Sequence, residues 1–233
     1  MLEEAQKVID KIRELTDEVI LFHSASGKDS IVLCDMLSKS FRKVVCVYMY
    51  IVKGMESQEM YMRYAKTKYP NVTFMQVPHY AWYSYAKYGY MGCVPRPQMK
   101  KYTLAELTDI ARGKTGIEWA FFGFKQSDSL NRRVMLRTYE DEAINYKTKK
   151  VYPLSKYKNR DCMEYIKKMS LIHPETTENC NKTQSSGVAI SDLDYLLFLR
   201  SRFPQDLKLI INEYPLVERL LYEYDFNQMQ PTK

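Results

Sequence analysis

The feature of this sequence that most constrains its fold is an alternation of short apolar runs with segments of helical periodicity. The apolar runs lie at 18–23, 44–52, 72–77, 118–124 and 151–154. Helical segments are predicted around and between them, at 2–15, 29–38, 57–68, 103–111 and 160–169. Strands that are apolar on both faces are typical of parallel sheets covered by helices on both sides. The alternation therefore predicts an α/β fold with a parallel five-stranded sheet and helices on both faces.

The rest of the chain is expected to surround this sheet. The predicted division is an N-terminal helix in 1–17, a sheet domain in 18–172 and a C-terminal helical appendix in 173–233. The appendix contains two predicted helices, at 191–202 and 205–222, with leucine-rich stripes. Such stripes either pack back on the domain or form a homodimer interface, since both arrangements bury the same apolar surface.

A tyrosine-rich segment at 79–98 is predicted to be irregular, because it contains many aromatic residues and two prolines. One interpretation is a packed lid over a site. The alternative is a platform that stacks on a base or on single-stranded nucleic acid, with the help of nearby cations. These cations are Lys87, Arg96, Lys100 and Lys101.

Charge and segment composition restrict the partners. The formal net charge of +7 favours anionic partners such as nucleotides, and it makes nucleic acid a less favoured but open choice. The charged N-terminus has no apolar signal core, and no apolar run approaches the ~20 residues needed to span a bilayer. We therefore expect a cytoplasmic protein without a membrane partner.

The five cysteines are scattered along the chain without any C-x-x-C pair: Cys34, Cys46, Cys93, Cys162 and Cys180. None of the three histidines is spaced as one of a pair of metal ligands. This pattern predicts neither a disulfide framework nor a zinc site, and it predicts no iron–sulfur cluster.

The polar loop after the first strand has the composition of a phosphate site. Gly27 would allow close backbone approach, and Lys28 would supply a positive charge at the start of the next helix. Asp29 is expected to cap that helix or to hold Lys28. Hydroxyl donors come from the three serines of the loop: Ser24, Ser26 and Ser30.

The order Gly27-Lys28-Asp29-Ser30 is not a Walker A pattern, because Asp29 follows the lysine. It resembles the PP-loop of the ATP-pyrophosphatase superfamily, usually written S-G-G-K-D-S. Within that superfamily, residues 19–172 resemble the phosphoadenosine phosphosulfate (PAPS) reductase family. The later matching segments are Gly54-Met55-Glu56, the stretch from Gly123 to Ser129 with the arginine that follows it, and Val151-Tyr152-Pro153-Leu154.

The resemblance implies a Rossmann-like fold of the adenine nucleotide alpha hydrolase type, and it implies roles for particular residues. The implied phosphate cradle is Ser24, Ser26, Gly27, Lys28, Asp29 and Ser30. Further implied nucleotide-binding residues are Gly54, Gly123 and Asp128, together with three candidates for contact with the outer anion: Lys125, Arg132 and Arg133. Lys28, as an electrostatic stabiliser, and Arg132, at the outer anion, would be the catalytic groups, and no metal ligand is implied.

The function implied is an enzyme that uses ATP or a related adenine nucleotide, with Mg²⁺, and acts at the phosphate end on an unidentified acceptor. Sulfonate reduction is not expected, because the late E-C-G-x-H segment of the reductases is replaced by Glu178-Asn179-Cys180-Asn181. The alternative is a non-catalytic nucleotide-binding module that holds a protein or nucleic-acid partner. Loss of ATP turnover on changing Lys28 would distinguish the two.

Overall fold

The computed structural model describes residues 2–174 and 189–229 of the chain. Within them a single sheet has the strand order β3-β2-β1-β4-β6-β5, parallel throughout except for the antiparallel pair β5–β6. The strands are β1 (Glu18–His23), β2 (Lys43–Tyr50), β3 (Val72–Pro78), β4 (Ala120–Phe122), β5 (Ile144–Asn145) and β6 (Lys150–Val151). The α/β fold is thus confirmed, with six strands instead of the five expected.

Helices cover both faces of the sheet, because its strands bury side chains on both sides. Along β1, Val19 and Leu21 belong to one apolar cluster, whereas Ile20 and Phe22 belong to another on the opposite face. This follows from the period of two along a strand. The helices before the C-terminal part are α1 (Glu3–Arg13), α2 (Lys28–Ser40), α3 (Glu56–Lys68), α4 (Tyr80–Tyr88), α5 (Leu104–Thr115), α6 (Leu130–Arg137) and α7 (Asn159–Lys168).

The expectation that 79–98 is irregular was wrong, because α4 occupies the first half of this segment. His79 caps it, with its Nδ1 accepting a hydrogen bond of 3.1 Å from the Ala81 amide, and Gly89 ends it at a φ of 71°. Aromatic residues have only modest helix propensity. Here the rings of Trp82 and Tyr85 pack on the C-terminal helices, and this tertiary burial outweighs the propensity.

The C-terminal helices are α8 (Leu193–Arg202), α9 (Pro204–Glu213) and α10 (Val217–Met229). The single helix expected at 205–222 is therefore two helices, and the break falls at Tyr214 and Pro215, where a proline cannot continue the hydrogen-bond ladder. These helices share an apolar cluster with Ile51 and Met55 of the β2–α3 connection. In the described part of the chain, no helix combines the length and apolarity that crossing a bilayer would require.

Candidate functional site

The site is built where β1 ends and α2 begins. The turn between them is held by a 2.6 Å hydrogen bond from the Gly27 amide to the Ser24 carbonyl. The Ser30 hydroxyl accepts a 3.0 Å bond from the Ser24 amide and lies 3.1 Å from the Ser24 hydroxyl. Gly27 is the N-cap of α2, and no side chain caps this helix end. The amides of its first turn therefore face outwards as donors for an anion.

Two glycines allow the backbone to come this close. A Cβ added at Gly27 would lie 2.1 Å from the Ser24 hydroxyl oxygen and 3.2 Å from the Ser24 carbonyl oxygen. A Cβ added at Gly123, just after β4, would lie 2.9 Å from the Cβ of Asp29. A side chain at Gly27 would therefore displace the Ser24 hydroxyl from Ser30, and one at Gly123 would press on Asp29, so the loop after β4 packs closely against α2.

The charged residues of the site form one connected network. The Lys28 ammonium lies 3.7 Å from Asp29 Oδ2, and the Lys125 ammonium contacts Asp29 and also lies 3.2 Å from Asp128 Oδ1. Arg132 donates a 2.6 Å hydrogen bond to Asp128 Oδ2. Lys28 and Lys125 are buried, with exposed fractions of 7% and 1%. Three cations thus face two carboxylates, and this leaves an excess of positive charge for an anionic ligand.

Burial and ion pairing act in opposite directions on these groups. Burial disfavours the charge on Lys125, but the carboxylates of Asp29 and Asp128 outweigh it and raise the pKa of the lysine. Burial likewise opposes ionisation of Asp128, whereas hydrogen bonds from the Lys125 amide and ammonium, with one from Arg132, lower its pKa overall. Lys125 and Asp128 are therefore both charged at neutral pH.

A cleft of about 480 Å³ opens beside this network. Eight of the sequence-predicted residues line it: Ser24, Gly27, Lys28, Asp29, Ser30, Gly123, Asp128 and Arg132. Arg132 stacks over the Phe124 ring, with the guanidinium carbon 4.0 Å from the ring centroid. The structure thus brings the loop after β1 and the segment after β4 to one rim, as expected at the carboxyl ends of parallel strands.

Four predicted residues are not among those that line the cleft: Ser26, Gly54, Lys125 and Arg133. Lys125 lies beneath the cleft as the counter-ion between two carboxylates. Gly54 has a φ of 80° and makes the turn between β2 and α3. Arg133 is on α6, and its Nε donates a 3.4 Å hydrogen bond to the Gln126 carbonyl. Both arginines are on α6, a helix that the sequence pattern did not predict, and neighbouring residues of a helix point in different directions. Arg132 therefore lines the cleft and Arg133 does not.

Other residues of the cleft were missed from the sequence: Phe22, His23, Met49, His79, Tyr80, Leu104, Phe122, Phe124, Ser127 and Asn159. Most are apolar or aromatic, so nothing in their chemistry marks them as site residues. His79 could have been found, because it directly follows β3 at the same edge of the sheet. Burial lowers its pKa to about 4, so it is neutral at pH 7.

Cys180, the cysteine of the segment that replaces the late motif of the reductases, lies outside the described residues. Cys162 of α7 is fully buried behind Asp29. Burial, and then the Asp29 carboxylate, raise the pKa of the Cys162 thiol. Cys162 therefore remains protonated and inaccessible. His173 lies close to the loop: burial and then Lys28 lower its pKa, whereas a hydrogen bond with the Ser26 backbone opposes the shift.

The chain matches the model of one protein family and is similar to many solved structures, among them a thiolase and a synthetase. The model of the phosphoadenosine phosphosulfate reductase domain matches residues 19–177. The U34-tRNA thiolase NcsA from Methanococcus maripaludis, solved with its [4Fe-4S] cluster, has 12% identity and a TM-score of 0.46, covering 93% of this chain and 78% of the thiolase. The NH3-dependent NAD synthetase from Campylobacter jejuni, in complex with nitrate, has 14% identity and a TM-score of 0.44, with 99% and 97% coverage. No curated protein matches the chain.

The thiolase corrects one expectation from the sequence. The absence of an iron–sulfur cluster was inferred from cysteine spacing, and a structure similar to this chain carries a [4Fe-4S] cluster. Spacing was an insufficient basis, since a fold can bring together cysteines that are distant in sequence. The expectation that the protein lacks an iron–sulfur cluster is withdrawn. Within residues 2–174 and 189–229, no three His, Cys, Asp or Glu side chains are grouped as metal ligands, so no cluster is assigned to them.

Proposed function

The chain belongs to the phosphoadenosine phosphosulfate reductase domain family, and from that premise we propose that its cleft binds an adenine nucleotide through the phosphates. The observation that carries the proposal is the start of α2. Its first turn has a glycine as N-cap, has no capping side chain and opens into the cleft. An anion at this helix end receives backbone hydrogen bonds and is stabilised by the helix dipole.

The electrostatics of the cleft support a phosphate chain rather than a neutral ligand. Lys28 lies in the wall of the cleft at the same helix end, and its side chain is almost fully buried. Among the residues that the structure describes, its ion pair is with one carboxylate at 3.7 Å, and an ammonium has three donors, so phosphate oxygens would accept from those that remain. Arg132, on the opposite side of the network, would bind the outer anion with the arm that does not contact Asp128.

The remaining wall of the cleft suits an aromatic base. Phe22 and Phe122 stack with their ring centroids 4.7 Å apart, and Tyr80 and Leu104 complete an apolar surface. Cofactor sites typically combine such a surface with a few polar groups that fix orientation. An adenine ring would lie against this surface while its phosphates reach the start of α2.

The reaction that this arrangement supports is adenylyl transfer. An acceptor oxygen would attack the α-phosphorus of ATP, the bond from that phosphorus to the bridging oxygen would break, and pyrophosphate would leave with the electron pair. Lys28 and the α2 amides would stabilise the charge that develops on the phosphate oxygens, and Arg132 would hold the departing end. Cys162, the cysteine behind the loop, is buried and protonated and is therefore not the acceptor, and the proposal takes the acceptor from another molecule.

The ligand and the reaction are tested separately. Calorimetric titration with ATP, AMP, adenosine 3′,5′-bisphosphate and PAPS, with and without Mg²⁺, identifies the nucleotide. Preference for ATP supports adenylyl transfer, whereas preference for the 3′-phosphorylated ligands supports sulfonucleotide chemistry. Phosphorus NMR of the ATP incubation then detects AMP and pyrophosphate. Binding without turnover, in the presence of candidate acceptors, would favour the non-catalytic module instead.

A further inference from the structure

One face beside the cleft combines exposed aromatic rings with positive charge. It is formed by α4 and by the chain that leads from there into α5. We call it the tyrosine–lysine face, and its members are Tyr80, Tyr88, Arg96, Lys100, Lys101 and Tyr102. Tyr88 is 67% exposed and Tyr80 is 42% exposed, so both rings are accessible from solvent.

The cations of this face are held beside ring faces. The Lys101 ammonium lies 5.5 Å from the centroid of the Tyr88 ring, and the Lys100 ammonium lies 4.7 Å from that of Tyr102. These distances are typical of cation–π contacts. Each pair presents a flat apolar surface and a positive charge within a few ångströms.

Acidic residues are scarce around the face. The sequence contains no Asp or Glu from Met60 to Ala105. Lys100 is paired with Glu106 at 3.2 Å, whereas in the part of the chain that the structure describes no ion pair is seen for Arg96 or Lys101. The face therefore retains positive charge that a polyanion would neutralise.

The face also leads into the cleft. Tyr80 begins α4 and lines the cleft, and Tyr88 ends the same helix. With a rise of 1.5 Å per residue, the two tyrosines are about 12 Å apart along the helix axis. A strand bound along α4 would thus place one of its nucleotides at the mouth of the cleft.

We propose that the tyrosine–lysine face binds single-stranded nucleic acid, with an unpaired base on Tyr88, phosphates near Arg96 and Lys101, and the strand running along α4 towards the cleft at Tyr80. Stacking on exposed rings requires bases that are not already paired, so a duplex fits the face less well. An acidic peptide would neutralise the charge but leave the rings uncovered. The strand would also be the class of acceptor for adenylyl transfer, and this part of the inference rests on the proposed function. Binding of the strand to the face does not, because it requires no nucleotide.

The test measures fluorescence anisotropy of labelled single-stranded RNA, single-stranded DNA and duplex DNA of about 12 nucleotides, a length within the range of known single-strand sites. The variant is Tyr88→Ala with Lys101→Ala. The matched control is Tyr222→Ala with Lys208→Ala, which removes the same residue types and the same charge from the exposed surface of α10 and α9. Nucleotide binding is titrated in all three proteins.

We expect single strands to bind more tightly than the duplex, and the Tyr88 and Lys101 variant to weaken this binding about tenfold or more. The slope of log affinity against log salt should decrease in magnitude by about 0.7, because the variant neutralises one phosphate fewer than the wild type. Preference for RNA or DNA would identify the source of the strand. Equal weakening in the control variant, or equal binding of the duplex, would overturn the proposal. If the wild-type protein binds the strands but no nucleotide, the proposed function fails and this inference stands.

Discussion

Replacement of Lys125 by methionine tests the charge network beneath the cleft. The lysine side chain is 1% exposed and bridges Asp29 and Asp128, so the change leaves two carboxylates without their shared cation. Removal of one partner of a buried ion pair typically costs about 3–5 kcal/mol. Methionine has a similar volume, so the destabilisation should come from charge rather than from packing. We expect the free energy of unfolding at pH 7 to fall by about 3 kcal/mol or more.

The pH dependence of that destabilisation identifies its origin. Lys125 helps to hold the pKa of Asp128 below its usual value, so in the variant this pKa rises. A carboxyl that is protonated no longer has an uncompensated charge, and the deficit should therefore shrink as pH falls from 7 towards 4. Urea denaturation at several pH values measures it. The control is Lys156→Met, which removes an exposed pair with Glu142 and should cost about 0–1 kcal/mol. Equal destabilisation of the two variants, or a deficit independent of pH, would refute the network.

Three further changes test separate parts of the structure. His79→Asn keeps the cap of α4 but removes a buried imidazole whose pKa is lowered to about 4. We expect the unfolding free energy of the wild type to fall by about 3 kcal/mol from pH 6.5 to 4 and the variant to lack this fall, and a parallel fall in both proteins would contradict this. Gly123→Ala should displace Asp29 and weaken nucleotide binding, measured by calorimetry, about tenfold. The control is Gly113→Ala on α5, where an added Cβ has no atom within 4 Å. It should leave nucleotide binding unchanged and stabilise the protein by about 0.5–1 kcal/mol. Asp206→Ala removes the carboxylate that accepts two 2.8 Å hydrogen bonds from the first amides of α3. The free energy of unfolding, measured by urea denaturation, should fall by about 1–2 kcal/mol. An unchanged denaturation midpoint would show that α9 does not support α3.

The central part of the sheet could be predicted because each strand is apolar on both faces. The predicted run 18–23 coincides with β1, and 72–77 differs from β3 by one residue. The short strands β5 and β6 have two residues each and show no periodicity. Their pairing depends on the chain reversal around them, so the sequence pattern predicted one strand where the structure has two.

The helices that were missed or misjudged are those whose stability comes from tertiary contacts. The rings of α4 pack on helices more than a hundred residues later in the chain, and no local pattern reveals that contact. The break after α9, by contrast, had a local signal in Pro215, which the leucine stripe concealed.

Sequence reasoning predicted the charged residues of the candidate site and missed its apolar wall. The residues from Ser24 to Ser30 are contiguous and chemically distinctive, so their placement at the start of α2 followed from the pattern. The role of Lys125 did not follow, because its charge suggested a ligand contact and its burial is visible only in the fold. The apolar wall is assembled from several strand ends and helix starts, and its members resemble ordinary core residues.

The most direct test of the central claim is calorimetric titration of the preferred adenine nucleotide into the wild type, Lys28→Ala and the exposed-surface control Lys208→Ala. Removal of a charged hydrogen-bond donor to the phosphates should weaken binding about 10- to 100-fold in Lys28→Ala. The control should match the wild type. Equal affinities in all three proteins, or no binding to the wild type, would contradict the account of the cleft as a site for nucleotide phosphates.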